Sequence, residues 1–304
     1  MSSDWVSQIE DDTRISDLAI PGTHDSAAWT HYSGVMGSPG TWAQRKSITE
    51  QLSLGVRVLD LRVGYASTSY TLGITSFIGM FHGPVYVDST LDSVLTDISS
   101  FLKDHDKEFV ILIFQQQGKS GQRDVDGDVG KMLGAKFDSK LHKFDAKRQD
   151  WPKVSELRGK VLAMGRLRNH VAGFCDVRSW LTDGDNTDGK FITAADNLKI
   201  YLQDRYKGLS TDEGYVSMEQ DNKEKFAKVK AAADTRILES PYKVLRINHM
   251  SYSNLRYQPW KSGEAMNKLL RDSKLKIQGA LMMDDADKDT VDFILKGNAD
   301  YCKK

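Results

Sequence analysis

The chain reads as an α/β protein, a distorted TIM-type barrel of mainly parallel strands with outer helices, forming one domain over residues 1–304. Three observations predict it. Short, β-branched apolar runs recur along the whole length, helical periodicities separate them, and no linker, repeat or low-complexity tract breaks the alternation. Barrels of this kind routinely reach 304 residues as a single unit.

The runs that predict strands are Ile15–Ile20, Val56–Val63, Ser76–Phe81, Phe109–Phe114, Lys160–Met164, Leu198–Leu202, Lys243–Ile247 and Gln278–Met283. Between them, Leu91, Val94, Leu95, Ile98 and Leu102 recur at three- and four-residue spacing behind Ser89 and Thr90, the pattern of an N-capped amphipathic helix. Glu219–Ala233 predicts a more charged helix, and Gly263–Leu270 and Asp289–Leu295 predict shorter ones. Two acidic loops, Asp124–Asp128 and Asp183–Asp188, begin like calcium loops but lack the glycine and glutamate that complete one, so they read as solvated turns.

Composition excludes several classes of function. Lys plus Arg and Asp plus Glu each number 42, so no net field favours a nucleic acid or an anionic surface. Cys175 and Cys302 lie far apart without a CxxC pair, which excludes a cysteine-framed zinc site and leaves their pairing open. Met1–Asp11 has no basic segment followed by an apolar stretch, and no run has the length of a membrane span. The expectation is a cytosolic chain or the mature form of a secreted one.

Chemistry-bearing residues follow the apolar runs in turn. His24 and Asp25 follow the first, Arg62 ends the second, His82 follows the third and Gln115 the fourth; Arg166, Asp204, Asn248 with His249, and Asp284 follow the others. Closed into a parallel barrel, these runs deliver all of them to the C-terminal rim, where such barrels place their active sites. Any one polar residue at a strand end is ordinary. The set, with two histidines, two arginines and several carboxylates, describes a site for an anionic substrate that needs proton transfer.

The segment Ile20-Pro21-Gly22-Thr23-His24-Asp25-Ser26 closely resembles the first active-site motif of the bacterial phosphatidylinositol-specific phospholipases C. Residues Gly55–Arg62, Phe81–Pro84, Gln203–Lys207 and Leu281–Asp284 resemble, in order, the second motif, the third, a headgroup-binding segment and the strand carrying the last catalytic carboxylate. The resemblance implies that the inositol 2-hydroxyl attacks the adjacent phosphorus, releasing diacylglycerol and inositol 1,2-cyclic phosphate. It implies His24 as general base oriented by Asp284, and His82 as general acid with Asp25 raising its pKa or sharing its proton. Arg62 then stabilises the phosphate oxygens. Calcium-dependent relatives carry an acidic ligand where this chain has Arg62, so the expectation is catalysis with no metal and no cofactor.

Headgroup recognition is expected from Arg166, Asp204 and Tyr206, with Gln115 and Gln116 standing where the bacterial enzymes have lysine, a departure in hydroxyl recognition. Asp60 and Arg57 are expected to form a supporting ion-pair layer beside Arg62. His31, His105 and His142 read as surface groups, and His249 is undecided. The expected partners are a phosphatidylinositol-containing membrane surface, met transiently, and its myo-inositol headgroup; the protein is expected to be a secreted monomer, with a cytoplasmic location the alternative. The loops Val35–Trp42 and Tyr257–Trp260 offer Trp42 and Trp260 either as interfacial residues or as anchors buried against the barrel. Competing readings are a metal-dependent glycerophosphodiesterase or sphingomyelinase-D-like barrel, and a catalytically silent inositol-lipid binding module. Free phosphatidylinositol and a glycosylated anchor both satisfy the main reading.

Overall fold

The computed structural model describes residues 3–29, 40–70, 73–118, 120–207, 217–252 and 258–303. His31, residues 35–39 of the first rim loop and Tyr257 lie outside them.

Among the described residues, twelve strands form one sheet. They are β1 (Ala19–Thr23), β2 (Val58–Tyr70), β3 (Gly73–His82), β4 (Val85–Thr90), β5 (Phe109–Gln116), β6 (Leu141–His142), β7 (Lys160–Arg166), β8 (Cys175–Asp176), β9 (Lys190–Ala195), β10 (Leu198–Gln203), β11 (Val244–His249) and β12 (Gly279–Met283). The order β7-β5-β2-β1-β12-β11-β10 is parallel throughout. Strands β1, β5, β7, β11 and β12 are buried along nearly their whole length, as expected of strands covered on both faces, whereas β10 exposes Lys199 and β2 becomes exposed beyond the rim at Ser67. No ladder joins the β7–β8 edge to the β9–β10 edge among the described residues. The Cys175 thiol, which donates to the Ala194 carbonyl at 3.2 Å, spans that seam. The expected barrel is present, but distorted and not closed by backbone hydrogen bonds.

Three expectations need correction. The third run does not join the parallel set: β3 pairs antiparallel with β2, with Val63 opposite Met80. Strand β2 continues past the rim, and β3 brings the chain back down to it, so His82 arrives from above. The first strand begins at Ala19 rather than Ile15 and includes the segment Ile20-Pro21-Gly22-Thr23. Gly22 is required there, because a side chain would collide with the Met282 sulfur on β12. The loop opened by Asp124 is no solvated turn, since Asp126 and Asp128 lie in the first turn of helix Asp126–Phe137, where carboxylates favour the helix dipole.

The outer helices are α1 (Ile48–Leu54), α2 (Leu91–Asp104), α3 (Asp126–Phe137), α4 (Val154–Leu157), α5 (Ser179–Thr182), α6 (Met218–Asp234), α7 (Pro259–Arg271) and α8 (Lys288–Leu295). Helix α2 is capped as expected, with Thr90 accepting from the Ser93 N–H at 3.1 Å. Helix α1 carries a capping box in which Ser47 and Glu50 satisfy each other's backbone N–H groups. Cys175 and Cys302 are both free. His142 belongs to β6 and is half-buried, and His105 stacks on Phe101 with ring centroids 4.4 Å apart.

Candidate active site

The C-terminal ends of the parallel strands surround a cleft of about 460 Å³ lined by His24, Arg62, His82, Gln115, Arg166, Asp204 and Tyr206, among others. Asp25 and Asp284 sit directly behind it, each 1% exposed at the side chain.

His24 leaves β1 with its N–H donating to the Met283 carbonyl at 2.9 Å, and the Gln44 amide donates to the His24 carbonyl at 2.8 Å. Its ring bridges two groups: Nδ1 lies 2.8 Å from Asp284 Oδ1 and Nε2 lies 2.5 Å from an Arg62 terminal nitrogen. A guanidinium only donates, so Nε2 carries the lone pair and Nδ1–H faces Asp284. Burial, reinforced by Arg62, draws His24 down to about 3, and the imidazole is neutral. Burial pushes Asp284 up to about 8. Gly263 lets α7 lie against Asp284, since a side chain at that position would overlap the Asp284 backbone.

His82 meets the His24 ring edge to face. Its ring centroid is 6.1 Å from that of His24, and Nδ1 lies 3.0 Å from Asp25 Oδ2 and 3.1 Å from the Thr41 carbonyl. The Thr41 carbonyl accepts, so Nδ1 bears a proton beside the Asp25 carboxyl and Nε2 is left for chemistry. Burial, then Arg62 and His24, draws His82 down to about 3, while burial raises Asp25 well above the carboxylate range. Asp25 adopts a left-handed backbone with φ of 41°, a local strain that turns its carboxyl back under the rim.

Arg62 is held from below: Nε lies 3.1 Å from Asp60 Oδ2 and 3.8 Å from Asp25 Oδ2. Burial would raise Asp60, yet Arg62 foremost, with His24 and His249, draws it down to about 2. Asp60 also accepts from the Asp25 N–H at 3.1 Å. The expected partnership with Arg57 is wrong: Arg57 and Arg62 differ in strand parity, and Arg57 pairs with Glu108 at 2.7 Å, away from the site.

Arg166, Asp204 and Tyr206 form the opposite wall. Arg166 lies 3.5 Å from Asp204 and 3.4 Å from Asp185, and its guanidinium covers the Trp180 ring at 4.8 Å. The Trp180 indole donates to Asp204 at 2.8 Å, and the Tyr206 hydroxyl lies 3.1 Å from Asp185. Gln115 lines the cleft, whereas Gln116 turns away to the Val125 N–H and the Arg123 carbonyl. The second acidic loop is thus not a mere solvated turn: Asp185 lines the cleft and Asn186 accepts from the Tyr206 N–H at 2.9 Å.

Sequence reasoning missed Asp185, Trp180 and Lys225, and left His249 undecided. His249 is 3% exposed, its ring centroid 6.1 Å from that of His24 and 5.7 Å from that of Trp180. Trp42 and Trp260 meet edge to face at 5.7 Å beside the cleft, with Arg45 over Trp260 at 4.6 Å. The Trp260 N–H donates to the Trp42 carbonyl at 3.1 Å, so the two rim loops are joined.

Comparison with known proteins places this geometry in a family. Residues 18–167 match the model described as phosphatidylinositol-specific phospholipase C, X domain, a stretch that carries His24, Asp25, Arg62, His82 and Arg166. The chain is 24% identical to a 1-phosphatidylinositol phosphodiesterase of Listeria monocytogenes over 97% of its own length and 84% of the relative's. It is 25% identical to the protein of that name from Staphylococcus aureus over 67% of its length and 64% of the relative's. The fold is that of the Listeria monocytogenes phosphatidylinositol-specific phospholipase C, with a TM-score of 0.67 at 22% identity, covering 98% of this chain and 99% of that one. A Staphylococcus aureus enzyme of the same description gives 0.70 at 18% identity, covering 96% and 97%. Residues 18–167 thus carry a phosphatidylinositol-specific phospholipase C X domain, within a chain that has the fold of the bacterial enzymes over nearly its whole length.

Proposed function

We propose that the whole chain is one catalytic unit that cleaves phosphatidylinositol, and the same linkage in glycosylated anchors, by intramolecular attack of the inositol 2-hydroxyl on phosphorus. The observation that carries this is the meeting of His24 and His82 in one cleft with Arg62 against His24 Nε2, each imidazole backed by a buried carboxylate.

His24 Nε2 accepts the 2-hydroxyl proton while Nδ1–H keeps its bond to Asp284 Oδ1, which fixes the tautomer and orients the ring. The hydroxyl oxygen bonds to phosphorus, and the bond from phosphorus to the glycerol oxygen breaks. His82 Nε2 gives the departing oxygen its proton, leaving Asp25 ionised beside Nδ1–H. In the free site that proton belongs to the Asp25–His82 pair, and the incoming phosphate anion favours holding it on the imidazole. Arg62 turns from His24 to the phosphate oxygens, which frees the Nε2 lone pair as the negative charge is met. Nucleophile and phosphorus are already in one molecule, so the barrier falls chiefly through alignment and charge.

A guanidinium in this place supplies the charge that a divalent cation would otherwise bring, and the two would repel in one small site, so the reaction is metal-independent. Arg166, Asp204, Asp185 and Tyr206 offer a donor, two carboxylates and a ring face to the inositol hydroxyls, with Gln115 at the side. The joined, half-buried Trp42–Trp260 pair beside the cleft rests the rim on a phosphatidylinositol-containing membrane from the extracellular side, the enzyme acting as a monomer. No described helix is long and apolar enough to cross a membrane.

Turnover of phosphatidylinositol vesicles with EDTA present, followed by the release of diacylglycerol, tests the reading. Release that survives the chelator supports it; binding of vesicles without release would point to a silent lipid-binding module instead.

A further inference from the structure

Helix α6 turns an unusual stripe toward the barrel. Its buried positions Asp221, Asn222, Lys225, Val229 and Ala232 recur at helical spacing, yet the first three are polar. Lys225 is 0% exposed, and burial draws its ammonium down to about 7 against the pull of Asp204, Asp188 and Asp284. Such a group persists inside a protein where its protons are taken up in hydrogen bonds. Nζ donates to Gln203 Oε1 at 2.9 Å and to the Arg205 carbonyl at 2.5 Å, two neutral acceptors that flank Asp204.

Gln203, itself 0% exposed, carries the connection to the next strand. Its Nε2 donates to Asn248 Oδ1 at 3.0 Å and to the His249 carbonyl at 2.9 Å, and its Oε1 accepts from the Arg205 N–H at 2.8 Å. Lys225 therefore grips the chain on both sides of Asp204, and through Gln203 it grips the end of β11. Lys225 does not line the cleft, while Asp204 and Tyr206 do. The charged groups bearing on it are Asp204 and Arg205 after β10, Asp188 ahead of β9 and Asp284 after β12; it bears in turn on His24 and His249.

We infer that Lys225 is a positioning residue: it ties the ends of β10 and β11 together so that Asp204 and Tyr206 are presented to the inositol headgroup, without touching the substrate itself. This deepens the proposed function and rests on it. A clamp of this kind acts on ground-state recognition of the headgroup and leaves the His24–Arg62–His82 chemistry in place.

The test is Lys225→Met, which keeps length and volume and removes the donors. With a soluble inositol phosphodiester, KM is expected to rise about tenfold with kcat within about threefold of the parent. Affinity for free myo-inositol, titrated by NMR, should weaken in parallel. A folded variant with unchanged KM and unchanged inositol affinity overturns the inference, as does a fall in kcat at constant KM; a structural role alone would lower only Tm. Should Lys225→Met fail to fold, Gln203→Glu keeps the acceptor for Lys225 but loses both Nε2 donations. The same rise in KM is then expected, and an unchanged KM overturns the inference. A parent protein that neither cleaves the phosphodiester nor binds inositol would reject the headgroup reading itself, and the inference with it.

Discussion

The Nε2 atom of His24 lies 2.5 Å from a terminal nitrogen of Arg62. In the free site, then, the arginine occupies the lone pair that the reaction needs, and the phosphate must draw it away. This arrangement couples activation of the base to the arrival of the anion. Arg62→Lys keeps the charge but loses the planar fork that can reach both His24 and Asp60. It is expected to lower kcat about 10²–10³-fold, with no rescue by calcium or magnesium in steady-state assays. Rescue by a divalent ion would contradict the role given to the guanidinium.

The depressed histidines set the acid limb of the pH profile. His24 is drawn down to about 3, so it is already a neutral base well below pH 6.5, and protonating it costs activity only in strong acid. The kcat/KM of the free enzyme on a soluble substrate should therefore be flat between about pH 5 and 7. On the alkaline side, activity falls as the Asp25–His82 pair loses its proton. An acid limb centred near 6.5 would show an unperturbed histidine as base.

Asp284 trades stability for function. Its folded pKa is raised to about 8 by burial, above the unfolded value of 3.8. The sign follows: the unfolded chain releases this proton as pH rises past 4 while the folded chain retains it, so the carboxyl costs stability at neutral pH and nothing at low pH. Asp284→Asn retains an acceptor for His24 and is expected to stabilise the fold at pH 7 by on the order of 2 kcal/mol, while lowering kcat about 10³-fold. Thermal unfolding should show the gain vanishing below about pH 4. A variant less stable than the parent at pH 7 would refute the sign.

Trp260 separates membrane contact from chemistry. Trp260→Ala removes one member of the joined aromatic pair beside the cleft and should weaken binding to phosphatidylinositol-containing vesicles about tenfold. Cleavage of a soluble inositol phosphodiester should be spared. Equal loss in sedimentation and soluble assays would mean that the pair only anchors the rim loops.

What the sequence revealed follows a physical divide. The parallel strands were legible because both faces are covered, so each is a compact apolar run with its functional residue at the end, as in Val58–Arg62 and Leu281–Asp284. The direction of β3 was not legible, since alternation reads the same in a strand that runs up or down. The start of β1 was misplaced because Ile15 and Leu18 are as fully buried as the strand that follows them. Among site residues, those in dense motifs stood out: His24, Asp25, Arg62, His82 and Asp284. Lys225 did not, because one enclosed lysine in a charged helix has the same local pattern as its solvated neighbours. Asp185 looked like any turn carboxylate, and only the return of the chain beside Arg166 gives it a place at the cleft. His249 was equivocal for a similar reason: its neighbours Trp180 and His24 come from distant segments.

The central claim is that His24 removes the inositol 2-hydroxyl proton so that the headgroup itself attacks phosphorus. Phosphorus NMR of the products formed from phosphatidylinositol micelles with EDTA present, run beside His24→Ala, tests it most directly. The account predicts an inositol 1,2-cyclic phosphate resonance from the parent protein and none from the variant. Turnover that appears only when a divalent ion is added, or a cyclic product that persists at the parent rate in His24→Ala, would contradict it.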